Sequence, residues 1–135
     1  MRKHLAVFTA GTLLLVIPAV SCGWMAQSKI QQRVRVAVED IGGCVLYDHE
    51  YDFPDKGGPV PYSQHAEFLA YLLGRDCIYS VVYVQVPCSS SIGSSILVDL
   101  KELRGLQHIV LFSETHPGDV ERLSKLLPGV TIEVR

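Results

Sequence analysis

The sequence predicts an α/β fold, a short solenoid of parallel strands backed by helices, and two observations carry the prediction. Val82, Val84 and Val86 are echoed by Gln107, Ile109 and Leu111, and again by Val130, Ile132 and Val134, at spacings of 25 and then 23 residues. Each triplet alternates as a half-buried strand does. The gaps hold apolar residues at helical spacing: Ile96, Leu97, Leu100 and Leu103 in the first, and Val120, Leu123, Leu126 and Leu127 in the second. A strand plus a helix recurring every ~20–29 residues is the period of a solenoid unit. Such a unit cannot bury its apolar side alone, so neighbours must stack.

From the N-terminus, residues 1–4 form a short tail with Arg2 and Lys3. Leu5 to Ala26 carry no charge. As a helix these residues would extend roughly 33 Å, enough for a ~30 Å hydrocarbon core. Trp24 near the far end suits a membrane interface, and Lys29, Arg33 and Arg35 follow it. Ala19-Val20-Ser21 supplies a small-x-small cleavage site, and Ala19-Val20-Ser21-Cys22 loosely resembles a lipoprotein box. An uncleaved transmembrane helix over 5–26 is the favoured expectation, because the apolar run continues past Cys22 through Gly23, Trp24 and Met25. Positive charge on both flanks leaves the sidedness open.

Residues 27–41 read as a helical stalk, with Ile30, Val34, Val38 and Ile41 on one stripe and Gln31, Gln32, Arg33 and Arg35 off it. Gly42-Gly43 ends the helix. A strand over about 44–50 would place Val45, Tyr47, His49 and Tyr51 on one side, and Leu46, Asp48, Glu50 and Asp52 on the other. Residues 53–61 hold three prolines and two glycines and must be a loop. Ser63 is positioned to cap a helix over 63–73, with Phe68, Leu69, Leu72 and Leu73 as its apolar side and Gly74 closing it. This strand–loop–helix unit, 42–80, is expected to cap the repeats at 81–135. There the expected strands are 81–86, 107–112 and 130–134, and the expected helices 95–104 and 118–127.

Several of these segments resemble a family of bacterial membrane-anchored leucine-rich-repeat proteins. They are the leader Phe8-Thr9-Ala10-Gly11-Thr12-Leu13-Leu14-Leu15 with Gly23-Trp24; the join Ile41-Gly42-Gly43-Cys44-Val45-Leu46-Tyr47-Asp48; Leu72-Leu73-Gly74-Arg75-Asp76 before Val81-Val82-Tyr83-Val84; and Leu126-Leu127-Pro128-Gly129-Val130-Thr131-Ile132. The resemblance covers nearly the whole chain and implies an uncleaved anchor. The repeat pattern L-x-x-L-x-L-x-x-N-x-L fits Val81, Val84, Val86 and Leu106, Ile109, Leu111. Ser89 and Glu114 stand where the turn asparagine belongs, Ser91 and His116 replace the last apolar position, and Asp119 alone remains of the usual Thr-Asp before each helix. The repeats are degenerate.

Composition excludes some functions. Twelve basic against fourteen acidic residues leave a net charge of −2, which offers no footprint for nucleic acid. Cys22, Cys44, Cys77 and Cys88 form no CxxC pair, so neither zinc nor a disulfide framework is expected. Asp48, Glu50 and Asp52, with Asp55 nearby, are the best metal candidates, yet no glycine-bearing loop wraps them round a cation. His65 lies two residues from Ser63, a spacing that does not face across a helix, and no G-x-S-x-G motif occurs. No catalysis and no cofactor are expected. The better candidate is the sheet face turned away from the helices: Leu46, Asp48, Tyr83, Gln85, His108, Val110, Thr131 and Glu133, a patch suited to a protein or peptide. Two expectations therefore stand. One is a membrane-tethered interaction module held through residues 5–26; the other is a passive assembly element associating through the stalk.

Overall fold

The apolar stripe Ile30/Val34/Val38/Ile41 turns out to be an interior surface of the domain. Val34 and Val38 are fully buried, and Ile30, Ala37 and Ile41 pack beside them. The computed structural model describes residues 22–52, 63–87, 92–112 and 117–135, and helix α1 runs unbroken over 22–40. Gly42, at φ 78°, closes it, and the Gly43 N–H donates to the Val38 carbonyl at 2.9 Å. A side chain at Gly43 would run into the Gln85 carbonyl oxygen and the Val38 side chain. Glycine there lets the chain turn at once into β1 (Cys44–Tyr47).

Four strands form one sheet in the order β1-β2-β3-β4, with β2 at Val81–Val86, β3 at His108–Leu111 and β4 at Thr131–Val134. β2, β3 and β4 are parallel. Val84 stands beside Ile109 and Ile109 beside Ile132, with Val86, Leu111 and Val134 two residues further along. Helices α4 (Ser94–Glu102) and α5 (Pro117–Leu126) supply the crossovers that parallel strands require. Ile96, Leu100 and Leu123 join α1 in one core with Val81, Val84, Val86, Ile109 and Leu111. Arg33 of α1 meets Asp99 of α4 in a two-pronged ion pair, at 2.7 and 3.1 Å. Between β1 and β2 lie α2 (Gln64–Leu73) and the single-turn α3 (Arg75–Ile78).

Three expectations are corrected. The sheet is mixed, because β1 pairs antiparallel with β2. A parallel neighbour needs a crossover packed on the sheet, and α2 instead leaves the sheet and packs mainly on α3. The described residues therefore form one four-stranded mixed sheet backed by helices, in place of the expected solenoid. β1 also stops at Tyr47, where the expected strand ran to residue 50: the N–H groups of Glu50 and Tyr51 both donate to the Tyr47 carbonyl, at 2.9 and 3.0 Å, and reverse the chain. The expected transmembrane helix falls mainly on residues 1–21, outside the described residues. Among the described residues no helix is long and apolar enough to cross a membrane.

Candidate functional site

The second face of the sheet is built by an irregularity in β2. Along β1 the partner of Leu46 is Tyr83 and the partner of Tyr47 is Val81, so the ladder skips Val82. An extra residue of this kind turns two successive side chains to one side. Val82 and Tyr83 accordingly both lie on the face away from α1, α4 and α5, while Val81 joins the helix-side core. With Val110 they make a small second cluster, and Leu46, Tyr51 and Phe112 pack against it. Among the described residues this cluster contains strand and turn side chains and no helix residue.

The chain reversal at Tyr47 brings Tyr51 over this face. Its ring stacks on Tyr83 with centroids 5.3 Å apart, and His108 lies 5.6 Å from Tyr83 and edge-on to Tyr51 at 6.2 Å. Tyr51 Oη is 3.0 Å from His108 Nδ1, and His108 Nε2 is 3.2 Å from Glu133 Oε2. The chain is satisfied when the tyrosine O–H donates to Nδ1 and the Nε2–H donates to the carboxylate. Arg135 Nε donates to Glu133 Oε1 at 2.7 Å. That guanidinium bond, helped by His108, holds the Glu133 carboxyl below the usual carboxylate range. Burial raises the Tyr83 phenol, which stays protonated and donates to Gln85 Oε1 at 3.2 Å. The result is a rigid platform of two phenols and an imidazole, edged by an acid–guanidinium pair. Aromatic rings with polar tips of this kind are enriched where proteins meet partners.

The structure brings together seven of the eight residues expected on this face, all but Asp48. Leu46, Tyr83, Gln85, His108, Thr131 and Glu133 share it through the cross-strand pairs Leu46↔Tyr83, Tyr83↔His108, His108↔Thr131 and Val110↔Glu133. Val110 stands on the same side but is fully buried in the second cluster, and Tyr83 is nearly so. Leu46, Tyr51 and Phe112 pack against the cluster, so these two side chains support the face from beneath. Asp48 is not on the face. It lies in the turn after β1, its Oδ1 3.7 Å from His49 Nδ1. Tyr51 and Arg135 were absent from the expected set. Strict alternation had put Tyr51 on the opposite side, and Arg135 lies beyond the last strand residue.

A buried polar junction fixes the turn that carries Tyr51. The Tyr47 phenol donates to Asp76 Oδ1 at 2.6 Å, and Arg35 donates to Oδ2 at 3.3 and 3.4 Å. Arg75 pairs with Glu50, and its guanidinium sits 4.8 Å from the Tyr47 ring centroid. Burial first, and then the bond to Asp76, push the Tyr47 phenol well above its ordinary value. The folded-state value lies above the unfolded value near 10, so the stabilisation is complete below about pH 10 and is lost as pH rises toward the folded-state value. Urea melts between pH 9.5 and 11.5 should show stability falling with pH, and Tyr47→Phe should remove one proton's share of that slope, about 1.4 kcal/mol per pH unit. An unchanged slope would mean that this phenol ionises as freely folded as unfolded.

The acidic run does not converge on a cation. Glu50 is engaged by Arg75 and by the Tyr47 N–H, and Asp52 is exposed. Among the described residues no three His, Cys, Asp or Glu side chains group to hold a metal ion; Asp55 lies outside them. Among the described residues the hydrogen-bond partners of the His108 ring are Tyr51 and Glu133, and the chain Tyr51–His108–Glu133 orients the rings. No family model, curated protein or solved structure matches this chain.

Proposed function

We propose that the protein is a membrane-tethered recognition module that binds a peptide or protein segment on the sheet face that carries Tyr83 and His108, and carries out no chemistry of its own. The observation behind this reading is the Tyr51–Tyr83–His108 ring cluster, held rigid by Glu133 and Arg135, on a face that no described helix covers. Preorganised aromatic side chains lose little entropy when a partner arrives. Leu46, Gln85 and Thr131 surround the rings with half-buried or exposed surface of mixed polarity, as interface rims have. The tether is residues 5–26, an uncharged run that leads directly into α1.

The rival reading, assembly through the stalk, loses its surface. Val34 and Val38, the centre of the apolar stripe, are consumed inside the domain. Affinity capture of the full chain from native membranes tests the choice. His108→Ala and Thr131→Arg should each lower recovery of a bound partner at least tenfold, about 1.4 kcal/mol in affinity, while retaining the wild-type melting profile. Thr131 is exposed, so its replacement leaves packing intact. Undiminished recovery with both variants would remove the face from consideration.

A further inference from the structure

Helix α2 has its apolar side on the outside. Only Ala70 is buried, whereas Tyr71 is 86%, Phe68 62% and Leu72 58% exposed, with Leu69 and Leu73 about half exposed. On a soluble helix such a stripe faces the core. Here Glu67, Ala70 and Tyr71 line one surface hollow with His49, Arg75 and Tyr79, and the stripe Phe68/Leu69/Leu72 beside it carries no charge.

The position of α2 identifies what meets this stripe. Through Gly74 it runs straight into α3, and Cys77 Sγ of α3 lies 2.9 Å from Ser28 Oγ of α1. Ser28 is two residues past the uncharged run that ends at Ala26, an axial rise of about 3 Å. Trp24 and Met25, on the turn just before, are themselves about half exposed. Lys29, which follows Ser28 on α1, is exposed, and an ammonium there is able to meet lipid phosphates. No spacer separates the apolar run from the domain, because the residues expected as a stalk are packed within it.

We propose that α2 is a membrane-contacting helix: Phe68, Leu69, Tyr71 and Leu72 rest in the interfacial zone of the phospholipid bilayer that receives residues 5–26, and hold the domain against the surface. The uncharged stripe takes lipid, the tyrosine sits at headgroup depth, and Lys29 marks the same plane. The domain then has two attachments, one in sequence and one in space, which limits its tumbling and fixes the direction in which the Tyr83–His108 face is presented. The inference rests on the tether reading of residues 5–26.

The test uses the full chain in phosphatidylcholine–phosphatidylglycerol vesicles in which part of the lipid is brominated near the headgroup. Trp24 is replaced by Phe, and a single tryptophan is introduced as Tyr71→Trp, as Phe68→Trp or, on the exposed surface of α4, as Val98→Trp. Flotation of the vesicles reports the tether separately from the helix. Co-flotation with blue-shifted emission and loss of most intensity at 71 and 68, and none at 98, is the expected result. Co-flotation with all three emitters unquenched by bromine and open to acrylamide would overturn the α2 contact while leaving the tether in place. Shielding at 71 and 68 from both quenchers would assign the stripe to a second copy of the chain and overturn the lipid contact. Failure to float would overturn the tether and the α2 contact together.

Discussion

Leu111→Asp is expected to abolish the cooperative thermal transition of the domain. Leu111 lies on β3, a central strand, beside Val86 of β2 and Val134 of β4, and is fully buried. Replacing a core leucine by a small residue alone costs about 2–5 kcal/mol. The aspartate adds an unpaired carboxylate to the apolar cluster of Val84, Ile109, Leu100 and Leu123, at a further cost of several kcal/mol. A domain of this size has roughly 5–15 kcal/mol in total, so little or nothing remains. Leu111→Met, which nearly conserves volume, should keep the transition with a loss below about 1.5 kcal/mol. Far-UV circular dichroism on heating distinguishes the two. A sharp transition in the aspartate variant would show that the side chain at 111 reaches water, against the observed register.

The second large effect is expected from Gln31→Leu. Gln31 is buried under α3, its Nε2 donating to the carbonyl oxygens of Asp76 and Tyr79 at 2.8 and 3.1 Å. Its Oε1 accepts the Val81 N–H at 2.6 Å, at the first residue of β2. One side chain therefore satisfies three backbone groups that water reaches poorly. Leucine has nearly the same volume and none of this bonding, so three polar groups lose their partner. At about 1–3 kcal/mol for each group left unsatisfied, a loss of roughly 3–6 kcal/mol follows after partial relaxation. Urea unfolding should show a lowered midpoint with an unchanged slope. A change within the ~0.5 kcal/mol of an ordinary surface substitution would mean that the junction is hydrated.

Gln31 also shows where sequence reasoning stops. The spacing of Ile30, Val34, Val38 and Ile41 reveals a helix with one apolar stripe, and the residues off that stripe read as solvated. Nothing local distinguishes Gln31 from Gln32, because the groups that it satisfies lie 45 to 50 residues away. The same stripe cannot say whether it meets another chain or its own domain; a stalk and a core helix have one periodicity. Strands β2, β3 and β4 were legible because a parallel sheet covered on one side imposes alternation, and Val84, Ile109 and Ile132 keep it. The direction of β1 was not, since a four-residue strand alternates alike in either direction. Period and the repeat resemblance imply a solenoid, and neither specifies how the first strand joins.

The face was half legible for a related reason. Tyr83, His108, Thr131 and Glu133 follow from the register of three parallel strands. Tyr51 depends on a turn whose hydrogen bonds to the Tyr47 carbonyl break the alternation, and the burial of Val110 depends on the extra residue at Val82. Both are departures from regular pairing, which periodicity averages away. Arg135 was missed because it follows the last strand residue, yet its guanidinium bonds Glu133 and holds that carboxyl below the usual carboxylate range.

Site-specific photocrosslinking in the native cells tests the recognition face most directly. With p-benzoylphenylalanine placed singly at Leu46, Thr131 or Val98, irradiation should yield one common crosslinked partner from Leu46 and Thr131, lost when His108 is also replaced by alanine. Val98, exposed on the helical side, should yield none. Crosslinks that form only from Val98, or that survive His108→Ala undiminished, would contradict recognition through the Tyr51–Tyr83–His108 platform.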